Sequence, residues 1–394
     1  MTSPALDLLL GPHAPDVLTA ALAEYGGELE HLQPGHVNAR PSGAATVMYW
    51  AVVRRADGSR TTEILAATTG GHIPAGAAVV AGEHLGAPVE VGIWRWPQDP
   101  ALPALGAAAD PGVLRGLGLS ATDVSDVRVR AYRPAQRAVL ELHDGHRTWF
   151  LKVLRPSAVA QVRACHDLAS PHLPVPPVAA CTGDGLIVLP EAPGTPLRDV
   201  LADGGEVPPP DALEALLDAL PAELAAMPPR RSHLELVDEH AAALRWAAAG
   251  EADVLAQLAE LLDALHTVEH EAGPVVPVHG DFYEGQLLTD EGRITGLVDL
   301  DTAGGGERID EWAMLLAHLS GLDLEDRWHP TAGRYATEVL AHADRRVAPR
   351  QLRQRTAAAL LGLATGPFRV QHPQWPEHTV ARIELAKKWL ASAG

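Results

Sequence analysis

Residues 278–313 read VHGDFYEGQLLTDEGRITGLVDLDTAGGGERIDEWA, and this stretch decides the fold. Val275, Val276 and Val278 form a short β-branched run that leads into His279-Gly280-Asp281. Leu287 and Leu288 open a second run, Asp290-Glu291-Gly292 is a turn, and Ile294 to Val298 is a third run ending at Asp299. Asp281, Gln286 and Asp299 therefore lie at the ends of short buried strands joined by a hairpin. That brings them close together although they span 18 positions, 281 to 299. A carboxylate at 281 can take the proton of an attacking hydroxyl. An amide oxygen at 286 and a second carboxylate at 299 suit Mg²⁺ on nucleotide phosphates, which is the equipment of phosphoryl transfer.

HGDFYEGQ followed by LVD resembles the aminoglycoside phosphotransferase and choline kinase-like family of small-molecule kinases. Its pattern is H-G-D-x4-N and then a strand of two hydrophobic residues and Asp. Gln286 stands where most members carry Asn. Maltokinase-like relatives share a similar H-G-D-x-x-x-G-Q, which makes the departure a subgroup trait. Gln offers the same amide oxygen on a longer stem. The resemblance implies an α+β, two-lobed protein-kinase-like fold, with a β-rich N-lobe, a helical C-lobe and an N-terminal β-containing cap. It implies ATP and Mg²⁺ as cofactors, Asp281 as base, and Gln286 and Asp299 on the metal. Gly-Glu-Arg at 306–308 looks like a variant of the family's Gly-Asp-Pro, with Asp310 or Glu311 anchoring the next helix.

The chain of 394 residues has room for two or three domains. Its 31 basic and 50 acidic residues leave a charge of −19, which argues against nucleic acid, whose affinity rests on Lys and Arg. The same charge suits a cationic acceptor and solubility alike. No apolar run approaches the ~20 residues that span a bilayer. The N-terminus has neither a basic region nor a long apolar core, so no membrane partner or signal peptide is expected and the cytoplasm is the expected compartment. Lys152, Lys387 and Lys388 are the only lysines among the 31 basic residues. In so Arg-biased a chain, a lysine outside the last helix marks a place that needs a compact ammonium.

In chain order, residues 1–124 read as the cap, with strands around Asp57-Gly58. Residues 39–61 (ARPSGAATVMYWAVVRRADGSRT) echo 132–148 (YRPAQRAVLELHDGHRT), each running Arg-Pro, strand, Asp-Gly, Arg-Thr. Aligned on Gly58 and Gly145, Leu65 falls opposite Lys152. The cap thus either contains a degenerate copy of the kinase hairpin or has converged on the same hairpin chemistry. Residues 125–192 read as the N-lobe. Lys152 ends its third strand and resembles the lysine that grips the α- and β-phosphates. The turn between the first two strands should overlie the phosphates, with Arg133, Gln136 and Arg137 as candidate contacts. The helix SAVAQVRACHDLAS lacks the Glu that usually pairs with that lysine; Gln161 and Asp167 are its only near substitutes. Glu191 and Ala192 fall at the hinge, where backbone groups would meet adenine.

Residues 193–394 read as the helical C-lobe. Apolar residues at 254, 255, 258, 261, 262, 265 and 268 give a clear helical period. His266 and His270 on that helix read as a solvated face. Arg369, in the loop GPFRVQHPQWP, is a candidate acceptor contact. Glu284 in the catalytic loop either meets a substrate amine or hydroxyl or points to water. The function that follows is ATP-dependent phosphorylation of a hydroxyl on a small polar acceptor such as a sugar, amino sugar or aminoglycoside-like compound. The missing helix Glu and Gln286 keep a second reading open, a catalytically weak pseudokinase that binds a nucleotide or metabolite.

Overall fold

The computed structural model describes residues 4–22, 27–40, 42–121, 124, 126–269, 271–322, 324 and 329–393, so His270 lies outside the described residues. Two helices, Pro4–Leu10 and Ala14–Leu22, lead into a five-stranded antiparallel sheet of β1 (Gly27–Ala39), β2 (Ala45–Arg55), β3 (Arg60–Thr69), β4 (Ala78–His84) and β5 (Ala87–Arg95), in the order β1-β2-β3-β5-β4. On β2, Val47, Tyr49, Ala51 and Val53 point to one face and are buried under helices Pro4–Leu10 and Ala14–Leu22, the period-2 pattern of a half-buried strand. The Tyr49 hydroxyl donates to Leu9 O at 2.6 Å, which fastens the first helix. The β2–β3 turn closes as its sequence implies: Gly58 takes φ +81° and the Asp57 carboxylate accepts the Ser59 amide and hydroxyl.

A second antiparallel sheet comprises β6 (Asp126–Arg133), β7 (Arg137–His143), β8 (Thr148–Leu154), β9 (Ala180–Cys181) and β10 (Leu186–Pro190), in the order β6-β7-β8-β10-β9. Leu65 lies on β3 and Lys152 on β8, so both halves of the sequence echo are hairpins. The cap boundary expected at 124 does not match the packing. Leu102, Leu105 and Leu114 share the core of the second sheet with Tyr132, Leu140 and Leu151. Those leucines sit in a Pro-interrupted stretch too short for any periodicity to reveal which sheet it covers. Asp99, only 3% exposed, joins the two layers. Its Oδ2 accepts the Tyr132 hydroxyl at 2.9 Å and the Ala135 amide at 2.7 Å, while Trp94 Nε1 donates to Tyr132 Oη at 2.9 Å.

The second half is helical, and among the described residues no helix is long and apolar enough to cross a membrane. Val254, Leu258, Leu261, Leu262 and Leu265 are the buried stripe of helix Ala252–Leu265, on the spacing expected. Small sheets carry the catalytic stretch: β11 (Thr195–Pro196), β13 (Leu287–Asp290) and β14 (Arg293–Leu297) in the order β11-β13-β14, and β12 (Val275–Val278) against β15 (Gly304–Glu307). Phe282, fully buried, anchors the loop between them in a core with Leu287, Leu297, Leu300 and Trp312, worth about 1.5–3 kcal/mol for the one side chain.

The three glycines at 304–306 form β15, paired with Val278, Pro277 and Val276. Steric room explains them. A Cβ on Gly304 would lie 2.6 Å from Pro228 O, and one on Gly305 2.6 Å from Ala225 O. Gly305→Ala should therefore destabilise the protein by about 1–3 kcal/mol in urea unfolding, the usual cost of overpacking. Gly321→Ala, where a Cβ meets nothing within 4 Å, should be neutral or stabilising by up to ~1 kcal/mol.

Candidate active site

The catalytic loop is built around His279. Its Nε2 lies 2.9 Å from Val298 O, to which it donates, and its Nδ1 accepts the Asp281 amide at 3.3 Å. These two partners fix the neutral Nε2–H tautomer and tie the loop to the end of β14. The Glu311 carboxylate, 2% exposed, accepts the His279 and Gly280 amides at 2.7 and 2.9 Å. The anchoring expected of Asp310 or Glu311 thus runs backward, from the helix into the loop. Gly280 takes φ +81°, and a Cβ there would lie 2.4 Å from Thr302 O, so the turn that aims Asp281 accepts only glycine.

Asp281, Gln286 and Asp299 converge as their positions imply. Gln286 Nε2 is 3.5 Å from Asp281 Oδ2, a weak contact, and the Gln286 carbonyl accepts the Val298 amide at 2.9 Å. Burial raises the Asp281 carboxyl above its usual range and Asp299 adds to the effect, against His279 and Arg137. Asp299 sits at φ 63°, ψ 51°, a left-handed conformation that Asp tolerates better than most residues. Burial opposes its charge, but Lys152 and Arg137 hold it well below the carboxylate range.

Lys152 reaches across from β8. Its Nζ lies 2.7 Å from Asp299 Oδ1 and 2.7 Å from Asp301 Oδ1, with the side chain 11% exposed. Burial works against the ammonium, but Asp301 and Asp299 outweigh it and raise its pKa. Asp301 is a second carboxylate on Lys152 that the sequence did not single out. Its spacing, two residues beyond Asp299 across a single 3₁₀ turn, is the signal that could have found it. Asp167 instead pairs with Arg163 on the surface. The helix Pro156–Ala169 turns His166 toward the lysine side. That imidazole is 1% exposed, its Nδ1 donates to Pro176 O at 2.9 Å, and its Nε2 is buried with no partner among the described residues.

A cavity of about 540 Å³ is lined by Lys152, His166, Arg137, Glu191, Ala192 and Asp299, with Val139, Leu189 and Leu288 as apolar walls. Glu191 and Ala192 lie on its rim, although the Glu191 amide is already given to Thr148 O at 3.1 Å. Across the β6–β7 turn Arg133 pairs in register with Arg137, and Gln136 donates its amide to Arg133 O at 3.0 Å. Arg137 Nη1 stands 3.7 Å from Asp299 Oδ2 and 3.5 Å from Asp301 Oδ2. Arg369 ends the short helix Gly366–Arg369, whose Phe368 is buried in the first sheet's core.

Glu284 does not point to water. It is fully buried, and its Oε1 accepts from Arg198 Nε and Nη2, each at 2.9 Å. His318 stacks on Tyr283 at 4.0 Å beside it. The short 3₁₀ turn Glu284–Gln286 carries Glu284 inward, and a lone acid in a polar loop gives no sign of that.

The family model described as "Phosphotransferase enzyme family" matches residues 134–350, more than half of the chain. The chain belongs to the phosphotransferase enzyme family. No curated protein matches it. Among solved structures, the apo form of a thermostable mutant of aminoglycoside phosphotransferase APH(4)-Ia is similar at 18% identity, over 73% of this chain and 100% of that one, with a TM-score of 0.52. A further variant of that thermostable mutant, in ternary complex with AMP-PNP and hygromycin B, is similar at 18% identity over 72% and 98%, with a TM-score of 0.50. At that identity the likeness concerns the fold, which is the two-lobed kinase-like α+β arrangement. This phosphotransferase is a small-molecule kinase with a β-sheet layer added before its N-lobe.

The placement of Glu284 has a measurable consequence. Arg198→Ala should strip a buried carboxylate of its partner and cost about 2 kcal/mol or more in denaturant unfolding. Glu284→Gln, which keeps the shape and loses the charge, should leave acceptor KM within about threefold, as an interaction made outside the substrate predicts. A large rise in acceptor KM with unchanged stability would return Glu284 to the substrate.

Proposed function

We infer that this phosphotransferase moves the terminal phosphoryl group of ATP to a hydroxyl of a small polar acceptor, in the class of sugars, amino sugars or aminoglycoside-like compounds. The pairing of Lys152 with Asp299 in the wall of a 540 Å³ cavity rimmed by Glu191 and Ala192, with the Gln286 backbone bonded to Val298 next to Asp299 and its side chain beside Asp281, carries this reading.

Asp281 takes the proton as the acceptor oxygen bonds to phosphorus and the bond to the departing diphosphate oxygen breaks. Its raised pKa makes it a stronger base than an exposed carboxylate. Asp299 and Gln286 would hold Mg²⁺. Their donor set, one carboxylate and one amide oxygen beside space for phosphates, fits a hard cation that keeps several waters. Bound there, the metal supplies charge neutralisation for the phosphates. Lys152 grips phosphate oxygens as a point charge. Asp301 holds Lys152 in place in the role that the lysine-facing helix cannot fill, since that helix presents the neutral His166. Arg137, and Gln136 at the turn, face the same phosphates. The pseudokinase reading loses its main support here, because the missing helix acid is replaced from the Asp299–Asp301 turn.

Asp281→Asn should lower kcat by about 10²–10⁴-fold while Mg-nucleotide affinity is kept. Asp299→Asn should lose metal-dependent nucleotide binding with the fold intact by circular dichroism. Unchanged Mg-AMP-PNP affinity in that variant would sink the metal assignment. Lys152→Arg keeps the charge but exchanges a compact donor for a planar fork between two carboxylates, so kcat should fall and KM for ATP rise. Asp301→Asn should shift the same two constants in the same direction and Asp167→Asn should shift neither, a contrast read by steady-state kinetics.

A further inference from the structure

Arg230 lies along the glycine strand β15. Its amide donates to Gly305 O at 2.7 Å, its Cβ stands 3.4 Å from where a Cβ on Gly306 would be, and its Cδ stands 3.7 Å from the same point on Gly304. The missing side chains of β15 thus form the bed on which the arginine stem rests. That stem ends at the catalytic loop, with Nε 3.2 Å from the point a Cβ on Gly280 would occupy. Gly280 precedes Asp281, and consecutive Cα atoms are about 3.8 Å apart, so this guanidinium stands next to the proposed base. Among the described residues its side chain makes no hydrogen bond or ion pair.

Arg230 also lines a cavity of about 420 Å³, together with Gly280, Gly306, His233, His240 and Gly362. Every carboxylate in its wall is already engaged. Arg355 binds Glu307 at 2.9 Å and Asp310 at 3.0 Å, and Glu311 accepts the His279 and Gly280 amides. Arg231 is bound to Glu239 and to Glu235 O. His233 Nε2 donates to Asp310 O at 3.3 Å. His240 has no side-chain partner among the described residues, and a Cβ on Gly362 would lie 3.0 Å from its Nε2, so that glycine makes room for the ring. Burial lowers both imidazoles below their usual value, which leaves them neutral at pH 7. Although the chain carries a charge of −19, the described wall of this cavity presents one uncompensated cation, two neutral imidazoles and no uncompensated carboxylate. An ammonium group would find no free counter-ion there. A carboxylate would find a planar guanidinium fork, and hydroxyls would find the imidazole nitrogens.

We propose that this cavity takes the acceptor and that the acceptor is a sugar acid, a polyhydroxylated carboxylate of monosaccharide size, held by Arg230 with one hydroxyl toward Asp281. The proposal rests on the phosphotransferase reading and narrows its acceptor class to compounds without an ammonium group. The transfer is the one given above: the hydroxyl oxygen bonds to phosphorus, the diphosphate leaves and the proton passes to Asp281. Size argues the same way as charge. Small-molecule sites run from about 300 to 1,000 Å³. A cavity of about 420 Å³ is at the low end of that range and suits a single sugar ring better than a multi-ring aminoglycoside.

Calorimetric titration of the full chain with glucuronate, gluconate, glucose and glucosamine, with and without Mg-AMP-PNP, tests the pocket. ATP consumption with the same compounds tests the reaction. A sugar acid should bind about tenfold or more tightly than glucose, and glucosamine more weakly than glucose. Arg230→Gln should abolish that preference, raising KM for the acid about tenfold or more while kcat and KM for ATP stay within about threefold. Arg230→Lys keeps the charge without the fork, so it should retain only part of the preference, and it replaces Arg230→Gln if that variant folds poorly. Arg60→Gln, which removes a surface pair in the first sheet, should leave all of these constants unchanged. Tighter binding or faster turnover of glucosamine than of either acid overturns the proposal. So does an acid preference that survives Arg230→Gln, or an absence of binding by both acids. In those cases the phosphotransferase reading stands as long as ATP is consumed with one of the compounds. Acids that bind through Arg230 while none of the compounds supports ATP consumption would instead fail the phosphotransferase reading, and with it the acceptor role of the pocket.

Discussion

Lys152 between Asp299 and Asp301 is the contact on which the arrangement of the lobes depends. One ammonium from β8 spans to two carboxylates on the far side of the cavity, and it is the compactness of Nζ that lets both reach 2.7 Å. A buried ion pair of this kind contributes little net stability, because desolvating three charges offsets most of their attraction. What it contributes is register. With the lysine's backbone paired on both sides, to Val139 of β7 and Ile187 of β10, the two acids can meet its ammonium in only one relative position of the sheets and helices.

The wall beyond the catalytic loop follows a similar logic. Arg355 is 1% exposed and binds Ser232 Oγ, Asp310, Glu307 and Glu271 O at 2.9–3.2 Å, so it ties three other segments of the chain to its own helix. Its neighbour β15 has no side chains on three successive positions and would be soft alone. Glycine gives the close approach, and the charged node beside it restores stiffness.

The core of the site was legible in the sequence because strand ends and a two-residue hairpin turn leave little freedom in where Asp281, Gln286 and Asp299 can go. Lys152 was legible for a different reason, its rarity in an Arg-rich chain. Asp301, His166 and Glu284 were not, and each for a reason of orientation. Whether an acid two places beyond a strand end faces back into a cleft depends on the left-handed step at Asp299, and a helix's inward face is set by what it packs on. The cap's limits were obscured by the same kind of ambiguity, since short apolar pieces such as Leu102 and Leu105 fit either sheet equally well.

The rim of the nucleotide-sized cavity runs Pro190-Glu191-Ala192-Pro193, and prolines at both ends remove two amide hydrogens from the stretch. The Glu191 hydrogen is already engaged by Thr148. Ala192 is then the one amide between the prolines left to greet a purine edge, against a wall of Leu189, Val139 and Leu288. A purine edge placed there would find that one amide as donor, with the carbonyls of the same stretch, which proline leaves in place, as acceptors.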